Sequence, residues 1–236
     1  MQFYFIRHAQ STNNLLYDSG GDSAGRSEDP PLTEIGYEQA HILARFLRTG
    51  NPGWKVLAGA PPGFGITHLY TSLMIRAVAT GTAVASELKL PLVVWEDLHE
   101  TGGIYFDDEA ANARVGQPGK NRAFFQKHFP GLVLPDSVGE AGWWNRSFEE
   151  TDQRPARAQR FLAELRRRHG DASDCVAVIS HGGFYNVLLQ TIFGIAREDF
   201  WFSLNNTAIT RMDTSPDTFD LVYMNRLDFM PKELAT

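Results

Sequence analysis

The chain has 236 residues, of which 43% are hydrophobic, so it can form one sizeable core with room for an insertion. Its net charge of -6 at pH 7 argues against a general nucleic-acid-binding protein, which usually carries a basic patch or stripe. The one cysteine, Cys175, excludes an intrachain disulfide, and its apolar neighbours predict that it is buried.

The first half of the chain alternates strand and helix signals. The apolar run from Gln2 to Arg7 predicts a buried strand, and a polar, glycine-rich loop follows from Ser11 to Pro31. A helix is expected to begin after Thr33, its predicted N-cap, and to place one apolar stripe against the core. The remaining predicted elements of this half are a loop over 50–65, a strand over 66–71, a helix over 72–88 with Ser72 as its N-cap, and a strand over 92–95.

Residues 101–148 have weak periodicity and many glycines, prolines and aromatic residues. Structureless loops of this length are uncommon inside a compact domain unless they have a function of their own, such as covering a site. We therefore expect an inserted lid with short helices and a small core of its own. The aromatic residues expected in that core are Tyr105, Phe106, Phe124, Phe125, Phe129, Trp143 and Trp144. One or two of them could instead face the pocket.

The second half returns to regular alternation. The predicted elements are a helix over 149–169, a strand over 175–180, a helix over 182–193, and two closing strands over 207–213 and 219–225 joined by a turn at 215–217. Strands that alternate with helices predict a three-layer α/β/α sandwich with a mostly parallel central sheet. We expect a single domain over 1–236, with the lid inserted at 101–148.

Reactive side chains follow four of the predicted strands, directly or within about one helical turn. They are Arg7 and His8, Arg76, Glu100, and His181. The carboxyl ends of parallel strands share one edge of an open α/β sheet, and ligands bind at that edge. The sequence therefore predicts that these five side chains lie in one neighbourhood. A cation beside an unprotonated imidazole is suited to holding a phosphate and attacking it.

Five blocks of the sequence, in the same order, resemble the motifs of the histidine phosphatase superfamily, the phosphoglycerate mutase-like proteins. The segment from Arg7 to Asn14 is similar to its Arg-His-Gly-Glu-Ser-x-x-Asn signature. The other four blocks are Pro31 to Ala40 (Pro-Leu-Thr-x-x-Gly-x-x-Gln-Ala), Thr71 to Ala77 (Ser-x-x-x-Arg-Ala), Leu98 to Glu100 (the acidic block) and Ser180 to Gly183 (the second histidine block). The resemblance covers the whole chain apart from the loops.

The resemblance implies a role for each of the five side chains. His8 would accept a phosphoryl group on a ring nitrogen, without a metal ion or another cofactor. Arg7 and Arg76 would hold the phosphate oxygens, and His181 would add a hydrogen bond or a charge to them. Glu100 would protonate the leaving oxygen and then deprotonate the incoming water or alcohol.

Further positions match the family less directly. Ser11 and Asn14 correspond to positions near its phosphate pocket, and the helix that starts at Gly182 could direct amide groups at an anion. Glu96 and Asp97 are competitors of Glu100 for the acidic role, and the block spacing favours Glu100.

Two residues depart from the family pattern. Ala9 stands where the family usually has Gly, and Gln10 stands where it usually has Glu, which removes a negative charge near the phosphate. Neither position transfers protons in the family mechanism. We therefore expect these departures to affect substrate preference rather than activity.

The resemblance leaves three functions open: a phosphatase, a mutase and a non-catalytic binding module. The acidic block continues as Glu100-Thr101-Gly102-Gly103, without the adjacent Arg-His of mutases, which favours a phosphatase over a mutase. Four cationic residues of the insertion are expected on a solvated face: Arg114, Lys120, Arg122 and Lys127. A non-catalytic phosphoester-binding module ranks last, because all the core catalytic residues are present.

Partners and location follow from what the sequence lacks. No apolar run approaches the roughly 20 residues needed to cross a bilayer, and the N-terminus lacks the pattern of a signal peptide. We expect a cytoplasmic protein that binds a small phosphate ester and neither nucleic acid nor membrane, with a homodimer left open. The remaining histidines show no metal-ligand spacing and are expected to be structural or surface residues: His41, His68, His99, His128 and His169.

Overall fold

The computed structural model describes residues 1–20, 25–53, 62–108, 110–170, 172–196, 199–215 and 218–236. Its strands are β1 (Gln2–Arg7), β2 (His68–Thr71), β3 (Leu92–Val94), β4 (Tyr105–Asp108), β5 (Ala113–Gly116), β6 (Leu132–Val133), β7 (Cys175–Ser180), β8 (Ile209–Thr214) and β9 (Phe219–Arg226). Its α-helices are α1 (Thr12–Asp18), α2 (Glu34–Thr49), α3 (Ile75–Leu88), α4 (Arg122–His128), α5 (Arg154–His169) and α6 (Gly182–Phe193).

Seven strands form the central sheet, in the order β6-β3-β2-β7-β1-β8-β9. The first five are parallel, and β8 pairs antiparallel with both β1 and β9. Strands β1 and β7 pair from Gln2 opposite Cys175 to Arg7 opposite Ser180. Because the two strands end at the same level, His8 and His181 emerge side by side at the carboxyl edge of the sheet.

Alternate side chains of the strands pack on opposite faces of this sheet. Phe3 and Phe5 of β1 contact the core formed with α5 and α6, whereas Tyr4 and Ile6 contact the core formed with α2 and α3. Strand β7 is buried along its whole length, as expected for a parallel strand covered on both faces. These two cores confirm the predicted three-layer α/β/α sandwich with a mostly parallel sheet.

The short helix α1 lies inside the segment that was predicted to be a loop over 11–31. Its N-cap is Ser11, whose hydroxyl accepts a hydrogen bond from the Asn14 amide, and the Asn14 side chain accepts one from the Ser11 amide. No residue of α1 is buried. Without an apolar face, the helix has no periodicity to reveal it in the sequence.

Two helix starts differ from prediction. The helix predicted over 72–88 begins at Ile75 with Met74 as its N-cap, and the Ser72 hydroxyl instead accepts a hydrogen bond from the Met74 amide. The helix predicted over 149–169 begins at Arg154, after a single 3₁₀ turn over Thr151–Gln153. By contrast, Thr33 caps α2 as predicted, with its hydroxyl accepting from the Gly36 amide.

The segment 101–148 forms the hairpin β4–β5, helix α4 and strand β6. Strand β6 joins the central sheet, where Leu132 pairs with Leu92 of β3. The prediction of a separate aromatic core is wrong, because Phe125, Trp143 and Trp144 pack together with Val78 of α3 and Val94 of β3. Part of this segment therefore belongs to the central sheet, and its role as a lid stays a prediction.

The chain after α6 closes the sheet with β8 and β9, and the turn predicted at 215–217 lies partly outside the described residues. Cys175 is buried, as predicted, and its thiol donates to the Phe64 carbonyl oxygen. Within the described ranges, no helix combines the length and the apolar character required to span a bilayer.

Candidate active site

His8 directly follows β1 and is 3% exposed. Its Nδ1 lies 2.7 Å from the Ala9 carbonyl oxygen, so Nδ1 carries the proton and donates it there. Nε2 therefore holds the lone pair, and it accepts a hydrogen bond from Arg76 Nε at 3.1 Å. Burial lowers the pKa of His8 well below its usual value, and the charges of Arg76 and Arg7 lower it further. The imidazole is thus neutral, with Nε2 available as a nucleophile.

Two arginines flank this imidazole. Arg76, in the first turn of α3, is buried and has Nη1 3.8 Å from Asp29 Oδ1. Arg7 Nη1 donates to the Leu204 carbonyl oxygen at 2.5 Å. Arg7 Nε and Arg76 Nη1 are buried without a hydrogen-bond partner among the described residues. Because buried donors are normally paired, these two free groups suit the oxygens of an incoming phosphate.

His181 is fully buried, with its ring centroid 5.0 Å from that of His8. Neither of its ring nitrogens has a hydrogen-bond partner in the described parts of the chain. Burial lowers its pKa well below the usual value, and the Arg76 charge acts in the same direction. His181 is therefore a neutral side chain with unused hydrogen-bonding capacity beside the nucleophile.

The Glu100 carboxylate lies against the N-terminus of α6. It accepts hydrogen bonds from the amides of Gly183 (3.0 Å), Phe184 (2.9 Å) and Thr101 (2.7 Å). A Cβ at Gly183 would lie only 2.3 Å from Glu100 Oε1, so glycine is required for this approach. These contacts correct one prediction: at least two amides of the helix that starts at Gly182 hold Glu100 instead of pointing at a substrate anion.

The competing carboxylates lie elsewhere. Glu96 accepts a hydrogen bond from the Ser137 hydroxyl, and Asp97 pairs with Arg160 at 3.0 Å. Neither lines the cleft that contains His8, whereas Glu100 does. Of the three candidate carboxylates, Glu100 is thus the one placed in the cleft, and its acid–base role stays a prediction.

Ser11 and Asn14 line the same cleft as His8, as predicted, but their polar atoms are largely engaged with each other. The Ser11 hydroxyl and amide both contact Asn14 Oδ1, at 2.9 and 3.0 Å. Asn206 links this pair to the nucleophile, since its Nδ2 donates to the His8 carbonyl oxygen at 2.9 Å and lies 3.3 Å from Asn14 Oδ1. The network positions the backbone of His8.

The cleft has a volume of about 370 Å³ and brings together residues from both halves of the chain. Arg7, His8, Arg76, Glu100 and Gly182 line it, whereas His181 is fully buried and does not. The mouth of the cleft carries four exposed or partly exposed side chains that the sequence analysis did not assign to it: Tyr17, Arg26, Glu28 and Trp201. It also carries Tyr105, one of the aromatic residues of the insertion.

Neither of the two departures from the family pattern lines the cleft. Ala9 is fully buried, and its amide donates to the Thr80 hydroxyl at 3.0 Å. Gln10 Oε1 accepts a hydrogen bond from the Thr33 hydroxyl at 2.7 Å, so this side chain supports the start of α2. A Cβ at Gly36 would lie 2.1 Å from the Gln10 carbonyl oxygen, which explains the glycine in this block.

Sequence reasoning missed two buried groups that support the site. Asp29 is buried beside Arg76, and burial raises the pKa of its carboxyl to about 6. Arg157 forms a bidentate salt bridge with Glu149, with hydrogen bonds of 2.6 and 2.7 Å, and also donates to the carbonyl oxygens of Asp97 and His99. Arg157 thus holds the turn that carries Glu100. No local pattern marks these residues, because charged side chains are ordinarily exposed.

Outside the cleft, the histidines predicted to be structural or surface residues include both kinds, and one cation predicted on a solvated face is not there. His99 is buried, with Nδ1 2.9 Å from the Glu100 carbonyl oxygen, whereas His41 is exposed on α2. Arg122 is not on a solvated face, since it donates to the carbonyl oxygens of Val138 and Pro135.

Comparison with known proteins places the chain in a family. The model of the histidine phosphatase superfamily (branch 1) matches residues 3–227. A "Probable phosphoglycerate mutase GpmB" of Yersinia pestis (strain Pestoides F) is 26% identical over 214 residues, which cover 90% of this chain and 85% of the relative. Two solved structures share the fold. A phosphoserine phosphatase from Entamoeba histolytica has a TM-score of 0.58 and 17% identity, with 98% of this chain and 99% of that chain covered. An alpha-ribazole phosphatase from Shigella flexneri has a TM-score of 0.61 and 20% identity, with 96% of each chain covered. The chain therefore belongs to branch 1 of the histidine phosphatase superfamily.

Proposed function

We propose that the protein is a metal-independent phosphomonoesterase that hydrolyses a small phosphorylated metabolite through a phosphohistidine intermediate on His8. One observation carries this proposal. The His8 imidazole is neutral, its Nδ1 proton is held by the Ala9 carbonyl oxygen, and its Nε2 faces a cleft that contains Arg7 and Arg76. An activated nucleophile beside cationic donors is the arrangement that phosphoryl transfer requires.

In the first step the phosphate displaces a hydrogen bond. Arg76 Nε donates to His8 Nε2 in the free protein, and a phosphate oxygen replaces Nε2 as its acceptor. Together with Arg7, Arg76 then stabilises the charge on the transferred group. The role predicted for His181 requires its buried ring to reach the same oxygens. The Nε2–P bond forms as the bond from phosphorus to the leaving oxygen breaks, and protonated Glu100 gives its proton to that oxygen.

In the second step the phosphoryl group passes to water. The Glu100 carboxylate, held by the amides at the start of α6, removes a proton from a water molecule as the water oxygen attacks phosphorus. The Nε2–P bond breaks, inorganic phosphate leaves, and both His8 and Glu100 regain their starting protonation states.

Mutase activity is the second candidate, and one observation favours it. Arg26 lines the mouth of the cleft and provides a third cation, which suits a substrate with a second acidic group. However, its Nη1 already donates to the Tyr105 carbonyl oxygen at 3.0 Å, and its guanidinium lies 4.1 Å from the centroid of the Tyr105 ring. Because Glu100 is followed by Thr101 and two glycines without a further cation, phosphatase activity is the stronger proposal.

The test measures phosphate release from an aryl phosphate in the presence of a chelator. We expect turnover by the wild type, no turnover by His8→Ala, and a covalent phosphoryl label on the wild type after alkaline quenching. No turnover across a broad panel of phosphate monoesters by folded protein would support a binding module instead. Interconversion of phosphoglycerates with little phosphate release would show a mutase.

A further inference from the structure

A second cluster of ionisable side chains lies at the opposite edge of the sheet from His8. His68 is the first residue of β2, Asp174 immediately precedes β7, and His169 ends α5. Because β1, β2 and β7 are parallel, the amino ends of β2 and β7 face away from the edge where the nucleophile emerges. The cluster therefore has no part in the catalytic site described above.

The three side chains converge on a small volume. Asp174 Oδ2 lies 2.7 Å from His169 Nδ1 and 3.7 Å from His68 Nδ1, and the three candidate ligand atoms lie within 4.8 Å of one another. Tetrahedral Zn²⁺ has metal–ligand bonds of about 2.0–2.2 Å to nitrogen and oxygen, which place neighbouring ligands about 3.3 Å apart. The observed distances between the candidate ligand atoms lie on both sides of that value, so small side-chain movements would produce tetrahedral coordination.

The surroundings of His169 fit a metal ligand. Its side chain is 4% exposed, and its Nε2 lies 3.0 Å from the Tyr70 hydroxyl. A ligating histidine usually donates its second ring N–H to a neighbouring acceptor, which fixes the tautomer. In the structure, Nδ1 donates its proton to Asp174 Oδ2, so Nε2 accepts a hydrogen bond from the Tyr70 hydroxyl. Metal binding at Nδ1 requires the other tautomer, in which Nε2–H donates to the Tyr70 oxygen and the Nδ1 lone pair points at the cluster.

The other two ligands provide access from solvent. The side chains of His68 and Asp174 are 42% and 25% exposed. The Thr67 hydroxyl lies 2.9 Å from His68 Nδ1, but it also lies 3.1 Å from the Cys175 carbonyl oxygen and can donate there instead. His68 Nδ1 is then free to bind a metal.

We propose that His68, His169 and Asp174 form a binding site for a divalent transition-metal ion, and that Zn²⁺ is the preferred ion. Two imidazoles and one carboxylate suit Zn²⁺ better than Mg²⁺ or Ca²⁺, which favour oxygen ligands. Three protein ligands leave the fourth position to water. The ion would tie the end of α5 to the starts of β2 and β7, and so stabilise the fold without entering the phosphoryl-transfer reaction.

The test titrates ZnCl₂ into chelator-treated full-length protein by isothermal calorimetry. We expect one equivalent to bind to the wild type and to raise its melting temperature. His68→Ala is expected to weaken this binding at least about 100-fold, since loss of even an outer partner of a metal site costs 10- to 100-fold. Asp174→Asn should weaken it as well, and circular dichroism checks that both variants are folded.

A matched control separates this site from other histidines. His41→Ala removes an exposed histidine from α2 and should leave the calorimetric titration unchanged. Binding of Zn²⁺ that is equally strong in His68→Ala would place the ion elsewhere, for example at His8, and would overturn the proposal. Absence of binding to the wild type would show that His169 and Asp174 form an ordinary hydrogen-bonded pair. Hydrolysis of an aryl phosphate should be the same with and without the ion, so this test is independent of the proposed function.

Discussion

Replacement of Arg157 by Met tests whether a buried ion pair positions the proton carrier. Arg157 and Glu149 are 2% and 8% exposed, and Arg157 makes two hydrogen bonds to the carboxylate and two to carbonyl oxygens. Removal of one partner of such a pair leaves the other charge buried and alone, which costs about 3–5 kcal/mol. We expect the free energy of unfolding to fall by that amount in urea denaturation.

Activity should fall along with stability, because one of the freed carbonyl oxygens belongs to His99, the residue before Glu100. Small displacements of a catalytic group reduce rates by about 100-fold, so we expect kcat for an aryl phosphate to fall about 10- to 100-fold. KM should change little, since the arginines that hold the phosphate are untouched. Arg157→Lys keeps the charge but loses the two-bond geometry, and it should show an intermediate loss.

The same helix offers a matched control. Arg167 also makes two hydrogen bonds to one carboxylate, at 2.6 and 2.7 Å from Glu164, but its side chain is 71% exposed. Exposed pairs contribute little to stability, so Arg167→Met should leave both urea denaturation and kcat close to wild type. Equal effects of Arg157→Met and Arg167→Met, or an unchanged kcat in a destabilised Arg157→Met, would refute the positioning role.

Predictions for three further variants concern residues in or beside the cleft. Burial raises the pKa of the Asp29 carboxyl to about 6, so the ionised carboxylate disfavours the folded state. Relative to Asp29→Asn, the wild type should therefore lose up to about 3 kcal/mol in its free energy of unfolding as the pH rises from about 4 through about 6. Urea denaturation across that pH range tests the sign. Asp29→Asn should also lower kcat/KM at pH 8 because Arg76 loses its partner, and unchanged activity there would contradict this role. Trp201→Ala removes an exposed aromatic ring at the mouth of the cleft. It should raise KM for an aryl phosphate about 2- to 10-fold and leave KM for a small alkyl phosphate unchanged. Equal changes in KM for both substrates would contradict a contact between Trp201 and the leaving group. Ser11→Ala removes the N-cap of α1 and should lower the melting temperature by about 2–4 °C in calorimetry, whereas an unchanged value would mean that the Asn14 contact contributes nothing.

The sequence predicts the parts of the site that depend on strand ends. Apolar runs identify β1 and β7, and in a parallel sheet their ends meet, so the proximity of His8 and His181 follows from pattern alone. Glu100 is harder to choose, because Glu96 and Asp97 have the same chemistry and only block spacing separates them. The structure separates them by contact with the amides at the start of α6.

The remaining features depend on packing that local patterns do not encode. Asp29 and Arg157 are charged residues whose burial results from distant neighbours, so nothing in their own segments distinguishes them from surface residues. Helix α1 has no buried face, and its Ser-x-x-Asn cap differs from the usual Ser-x-x-Glu pattern. Strand β6 has two residues, too few for any periodicity, and its place at the edge of the sheet is set by pairing with β3.

The pairing of β1 with β7 has a consequence for how active protein forms. Arg7 lies opposite Ser180, and each strand places the next residue, a histidine, at the reaction centre. A slip of one residue would turn every side chain of β1 to the other face of the sheet and carry His8 away from His181. The register of the β1–β7 pairing therefore sets the distance between the two imidazoles. A misaligned folding intermediate could bind neither phosphate nor a transition-state analogue, so titration of sites with such an analogue counts correctly registered molecules during refolding.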